Sequence, residues 1–405
     1  MTNDQVKKMR KFLKKLHLYL ALTFCISLTL QGLSGSILIL EKPIAEFFLK
    51  QNHVFVEGEI AQASALIRAA QAKIPEGFVA NFVKFPLEKN SAAVVRFTKN
   101  TPVVERSRDN GNLGDEALAV PGPQKKGFRE VLIDAVSLEV LKVQNPEENF
   151  FYWVKKFHTN LLIQGEVGRN IVGIFGIILL LMTISGIVIW WPKKFSEKSW
   201  AQLRSDFRLG LTFDFKSKGI RFYRGLHGFA GFWTFGFLFI ASFSGIYLAF
   251  PKQMTQGITA VFGGEDLKKE MNAITTPHEV KKEKIDEVVS LASEHFQDLR
   301  LVSLNIPTKS NQPFRVNFAE KNSSKGGLVI AVFVDSNESK IIRGFDPEFY
   351  LAGEKIIVLQ PLLHEGKGLG IIWKTLVFFV GFLPILFAIT GISLWWKKRK
   401  NRVRI

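Results

Sequence analysis

The chain has 405 residues, a hydrophobic content of 47% and a formal net charge of +18. The charge is gathered rather than spread, with six Lys/Arg in residues 1–16, nine from Lys193 to Arg224 and six after Trp396, which argues against a nucleic-acid partner. The single cysteine, Cys25, excludes an internal disulfide and a thiolate cluster, and without Cys-x-x-Cys-His covalent haem attachment is excluded too.

In chain order, residues 1–40 combine a basic start with an apolar run, Leu18–Leu40. The run is too long for a signal peptide and no clear cleavage site follows, so it is expected to remain as an anchor, keeping His17 in the protein. Residues 41–157 are polar. Residues 158–191 carry His158 and the run Ile171–Trp191, and residues 192–224 form a short basic segment. Residues 225–250 carry His227 and Phe229–Phe250, residues 251–363 are polar again, and residues 364–405 hold His364, Ile371–Trp396 and a basic tail. Each apolar run meets the about 20 residues, at about 1.5 Å rise each, that crossing a bilayer requires. Short basic segments stay in the cytoplasm, which places both termini and 192–224 inside and the two polar segments outside. The pairs Trp190-Trp191 and Trp395-Trp396 suit an interfacial belt.

The two polar segments resemble each other. The first offers a helical stretch, Ile60–Ile74, then alternating runs at Phe78–Phe85, Ala92–Thr98 and Glu130–Val143. The second offers Ile285–Phe296, then Leu299–Ile306, Phe314–Phe318 and Leu328–Ile342. Both close on a strand, an Asp-led turn (Asp134, Asp335) and a strand. The Gly-, Pro- and charge-rich stretch 100–126 reads as a loop. The expected fold is therefore membrane α-helical, with four transmembrane helices in two parallel repeats and two extracytoplasmic α+β domains. Parallel repeats place the symmetry axis along the membrane normal.

The histidines obey the same duplication. His17 lies 17 residues before Ser34-Gly35 and His227 lies 17 before Ser244-Gly245, while His158 and His364 precede Ser185-Gly186 and Thr390-Gly391 by 27 and 26. The axis relates His17 to His227 near the inner face and His158 to His364 near the outer face. A planar cofactor with two axial positions suits such pairs, and b-type haem is the common example. Two haems are expected, one per pair. The Gly residues would let a porphyrin lie against a helix, or else serve ordinary helix packing.

Taken singly, His17 reads as an interfacial residue and His364 as a loop residue. His158 requires a helix that starts early or bends near Gly165–Gly168. His53, His278 and His295 lack matched partners and read as exposed or locally bonded. Tyr152, Trp153 and Trp373 read as interfacial. Zinc or di-iron sites want clustered Cys or carboxylates that these helices lack. Apart from Lys374 the spans hold almost no ionisable residues, which disfavours a transporter.

The four histidines, the [Ser/Thr]-Gly pairs, the Trp-Trp exits and the strand–Asp–turn–strand endings make the chain resemble the PepSY-associated transmembrane family, over nearly its whole length. The resemblance implies that the outer domains are PepSY-like. It also implies a di-haem reductase of the bacterial inner membrane that reduces a ferric chelate, such as a ferric siderophore, on the periplasmic side. No Gly-x-Gly-x-x-Gly follows a strand to open a helix, so quinol or a separate cytoplasmic reductase must supply electrons. The alternative is a non-catalytic, membrane-anchored protein whose outer domains bind or regulate envelope proteins.

Overall fold

A computed structural model describes residues 3–88, 91–99, 128–191, 199–321 and 327–403. The expected loop 100–126 and the first basic residues after Trp191 fall outside them.

The first apolar run belongs to one long helix, α1 (Asn3–Ile39), followed by α2 (Glu41–Asn52) and α3 (Ala63–Gln71). Four strands follow: β1 (Phe78–Lys84), β2 (Ala93–Lys99), β3 (Phe128–Ile133) and β4 (Val140–Gln144). A short helix, α4 (Phe150–Asn160), leads into α5 (Glu166–Trp190), then α6 (Trp200–Leu211) and α7 (Gly219–Ala249). Next come α8 (Pro251–Phe262), α9 (Leu267–Ala273) and α10 (Ile285–His295). The strands β5 (Leu299–Asn305), β6 (Phe314–Glu320), β7 (Ile330–Asp335) and β8 (Lys340–Phe345) then precede α11 (Ala352–Glu365), α12 (Gly370–Val380) and α13 (Leu383–Val403). Among the described residues, four helical segments are long and apolar enough to span a membrane: Asp4–Gln51, Glu166–Trp190, Gly219–Ala249 and Gly370–Lys400.

The polar segments, read from sequence as two units, join in one antiparallel sheet of order β4-β3-β2-β1-β5-β6-β7-β8. Alternation in each strand sends Val83, Val95, Phe97, Val131 and Ile133 from one half, and Leu304, Phe314, Val316, Phe318, Val332 and Val334 from the other, into a shared core. The helices α3 and α10 cover that face, with the Ser64 amide donating to Asp286 Oδ1 at 3.0 Å. On the opposite face Ala331 and Phe333 pack with Leu267, Met271 and Val358.

The seam is short. β1 and β5 pair at Phe82–Asn305, Val83–Leu304 and Lys84–Ser303. It is extended symmetrically by Phe85 N–H donating to the Val302 carbonyl (3.0 Å) and Ile306 N–H to the Asn81 carbonyl (2.9 Å). Asn81 and Val302 sit at equivalent register shifts, between Ala80 and Phe82 and between Leu301 and Ser303.

The two Asp-led turns match as well. Asp134 accepts from the amides of Val136 and Ser137, and Asp335 from that of Asn337. Each turn contains a left-handed residue four places on, Leu138 and Ser339.

Candidate functional site: two histidine pairs

His17 lies inside α1 and His227 inside α7. His158 and His364 do not lie on the long apolar helices. They sit in the last turns of α4 and α11, each followed by a sharp break before the next helix. After α4 the chain turns through left-handed Leu161 and Leu162 and through Gly165. The start of α5 then packs so closely that a Cβ on Gly168 would fall 2.0 Å from the Asn160 carbonyl oxygen. After α11 the turn uses left-handed Gly366, Gly368 and Gly370. The expected bend before the second span is thus a full break, centred a few residues earlier than Gly165–Gly168. The His-Glu-Gly-Lys-Gly stretch is a helix end and not a free loop.

These placements bring the four rings together in the two expected pairs. The His17 and His227 ring centroids are 6.4 Å apart, and those of His158 and His364 are 6.1 Å apart. The second pair lies at the end of the helices that carries the sheet, the first at the opposite end. Each pair takes one ring from each half of the chain.

Each ring is held by a [Ser/Thr]-Gly pair of its own half. Nδ1 of His17 meets Ser185 Oγ at 2.9 Å, and that of His158 meets Ser34 Oγ at 2.9 Å. Nδ1 of His227 meets Thr390 Oγ1 at 2.8 Å, and that of His364 meets Ser244 Oγ at 3.0 Å. All four hydroxyls are buried.

Each hydroxyl also donates to a carbonyl one turn back in its own helix: Ser185 to Met182, Ser34 to Gln31, Thr390 to Leu386 and Ser244 to Ile240. With its proton spent there, the hydroxyl is left to accept, so each histidine must carry its proton on Nδ1. The Gln31 carbonyl, 3.1 Å from Nδ1 of His158, demands the same tautomer. Nε2 is then the bare lone pair at every position. Among the described residues no hydrogen bond engages it.

The glycine of each pair makes room for the ring. A Cβ would lie 3.0 Å from His158 Cε1 at Gly35, 3.1 Å from His364 Cε1 at Gly245, 3.5 Å from His17 Cε1 at Gly186 and 3.7 Å from His227 Cε1 at Gly391. The sequence places these glycines at the right depths but assigns them to a porphyrin face or to helix packing. In the structure their open side faces a histidine. The hydroxyl beside each glycine has no role in the sequence reading, although a Ser or Thr precedes every one of these glycines.

The arrangement can hold metal. A histidine nitrogen sits about 2.0–2.1 Å from a bound metal and about 1 Å from its own ring centre, so two rings across one ion place their centroids about 6 Å apart. Both pairs meet that separation, and an Nδ1–H anchored to an oxygen is the usual outer support of a metal-bound imidazole. Two nitrogen donors alone suit a metal whose other positions a macrocycle fills, so the residues fit haem.

Aromatic side chains crowd the pair opposite the sheet. Phe387 stands 5.1 Å from His227, and Trp190 lies tilted against Phe232 at 4.6 Å and beside Gly228. Trp190 therefore faces the bundle, while Trp191 and Trp396 are exposed as expected of interfacial residues. The remaining histidines divide. His278 and His295 are exposed, but Nε2 of His53 bonds Asp134 Oδ2 at 3.3 Å, 81 residues away in sequence.

The family model described as the PepSY-associated TM region matches residues 14–398. No curated protein matches the chain.

Proposed function

This chain belongs to the PepSY-associated transmembrane family, and on that premise we propose that it is a di-haem reductase of the bacterial inner membrane. It carries electrons across the bilayer to a ferric chelate, of the siderophore class, on the periplasmic side. In this reading both termini are cytoplasmic, the eight-stranded sheet is periplasmic, and the chain is two copies of one helix–α+β–helix unit. The matching seam bonds, register shifts and cradles support that duplication.

One observation carries the reading. Two histidine pairs at opposite ends of the bundle bring their rings to centroid separations of 6.4 and 6.1 Å, which suit a shared metal, and each ring keeps Nε2 unprotonated. His17 and His227 would hold the inner haem, and His158 and His364 the outer one. Haem iron supplies one-electron chemistry, with a potential set by its ligands and their burial. The protein's own part is to fix the tautomers through Ser185, Ser34, Thr390 and Ser244 and to surround both pairs with apolar helix. Electrons enter from quinol or from a separate cytoplasmic reductase. Each ferric ion takes one electron, and the ferrous product is held less tightly by hard oxygen ligands.

The test is an absorbance spectrum of the detergent-purified protein, with and without dithionite, followed by a pyridine haemochrome assay. About two haems per chain are expected. His17→Ala and His227→Ala should each remove the same haem and leave the one that depends on His158 and His364. A colourless protein from haem-replete cells would sink the reading.

A further inference from the structure

Cations gather beside the His158/His364 pair, at the end of the helices that carries the sheet. Lys155 precedes His158 by one turn on α4, and Lys367 follows His364 just past the end of α11, paired with Glu365. Lys374 backs onto the same turn, its Cα 3.1 Å from where a Cβ on Gly366 would stand. Lys42 from the start of α2, Lys84 from the end of β1 and Arg96 from β2 fall within electrostatic reach of this group, as do Glu41, Glu365 and Glu130. Among the described residues, six cations and three carboxylates thus lie within electrostatic reach of one another. Two of the carboxylates are already engaged, Glu365 by Lys367 and Glu130 by Arg96 at 2.9 Å.

A second observation is independent of charge. The side-chain Nε2 of Gln31, one turn before Ser34 on α1, is buried with no hydrogen-bond partner among the described residues. It is an amide donor suited to an oxygen ligand, on the residue whose backbone carbonyl holds the His158 ring. Lys155 has its pKa lowered, chiefly by removal from water, with Glu365 acting the other way and Lys367 lowering it further. An anion arriving there would favour its charged form.

We propose that this cluster docks an anionic chelate, a metal complex presenting ionised carboxylate or catecholate oxygens, directly against the His158/His364 pair. The proposal rests on the reductase reading only in making that chelate the substrate. Lysines on both flanks of the pair would hold the complex by charge, and the Gln31 amide would meet one of its oxygens. A neutral complex of similar size would gain none of the Coulombic attraction.

The experiment uses the full-length protein in a non-ionic detergent, with binding followed by tryptophan fluorescence quenching. The probes are ferric EDTA, an anion, and a neutral ferric trihydroxamate. The anionic complex should bind at least about tenfold more tightly at low ionic strength and lose that margin once the Debye length falls below about 8 Å. Lys155→Gln and Lys367→Gln should each weaken ferric EDTA several-fold and leave the neutral complex unchanged, while Lys155→Arg retains the preference. Equal affinity for the two complexes overturns the proposal. So does a Lys155→Gln/Lys367→Gln protein that binds ferric EDTA as before but has lost its outer haem, since the lysines would then serve the cofactor's carboxylates. Haem is counted separately, so the two readings fail separately. Haem-free protein that still prefers the anion keeps the docking site and loses the reductase, whereas haem-loaded protein indifferent to charge does the reverse.

Discussion

A histidine binds metal through one nitrogen, and whatever holds the other decides which. At four places in this chain a buried hydroxyl makes that choice, and it can do so only because its own proton is committed to a carbonyl one turn back. Thr390→Ala leaves His227 without its hydroxyl acceptor and should weaken cofactor binding at its own pair by about 10–100-fold while sparing the other pair, as read by haem titration of the purified protein. Ser34→Ala should cost less at the outer pair, because the Gln31 carbonyl still accepts from His158 Nδ1. Thr390→Ser keeps the hydroxyl and should bind as the parent does. The histidines themselves were legible in sequence because their spacing repeats. Their hydroxyl partners were not assigned, because the bonds join residues 120 to 168 positions apart. His53 reads from sequence as exposed or locally bonded for the same reason, since its partner Asp134 lies 81 residues away. Burial acts to raise the Asp134 pKa, but amide donation from Val136, Val56 and Ser137 and the bond to His53 outweigh it and hold the carboxyl below its usual value. A depressed carboxyl pKa gives stability that is present at neutral pH and lost as pH falls through the folded value. Asp134→Asn should therefore lower the melting temperature of the protein at pH 7 and flatten its decline in acid, measured by circular dichroism from pH 7 to pH 3.

Elements were legible where one period ran without interruption. The alternating runs at Phe78–Phe85, Ala92–Thr98, Leu299–Ile306 and Phe314–Phe318 became β1, β2, β5 and β6 within one or two residues. The four long apolar runs became the four candidate spans. The helix breaks behind His158 and His364 were harder to see. One is made at Leu161 and Leu162, where a left-handed backbone is not what a leucine favours, so composition carries no warning. These breaks turn each histidine inward from a short helix, a geometry that one straight helix through His158 and Trp190 would not give. Gly168 keeps the first break tight. Gly168→Ala would press a methyl into the Asn160 backbone, and relief of such overpacking typically costs about 1–3 kcal/mol. On the proposed haem reading, because α4 must give way, the outer haem should be lost or loosened while the inner one stays. A reductive titration resolving two components should show the outer one diminished. Equal loss of both would mean that the break does not position His158.

At the scale of the molecule, each cradle lies within one half of the chain and each histidine pair spans both. Neither pair exists unless the halves are held in register. Among the helices, α5 along α7 and α1 against α13 join the two halves. At the sheet end, β4 and β8 lead through short turns into α4 and α11, so the sheet fixes where His158 and His364 arrive. The halves of the sheet meet at the Val83–Leu304 pair, through which the local two-fold passes, and both side chains are fully buried. Nothing in sequence announced this seam: either half alone reads as a finished α+β unit, and three cross-strand pairs leave no pattern of their own. The two ends of the molecule should then differ in how they fail. Leu304→Ala removes a buried side chain at the axis, at a cost of about 2–5 kcal/mol. Because the loss falls on the joint between the halves, it should disturb the outer pair first. On the proposed haem reading, a thermal ramp followed by absorbance should show the outer haem released below the temperature at which the inner one leaves, with the gap wider than in the parent protein. If both haems leave together in Leu304→Ala, the helices and not the sheet hold the halves in register at both ends.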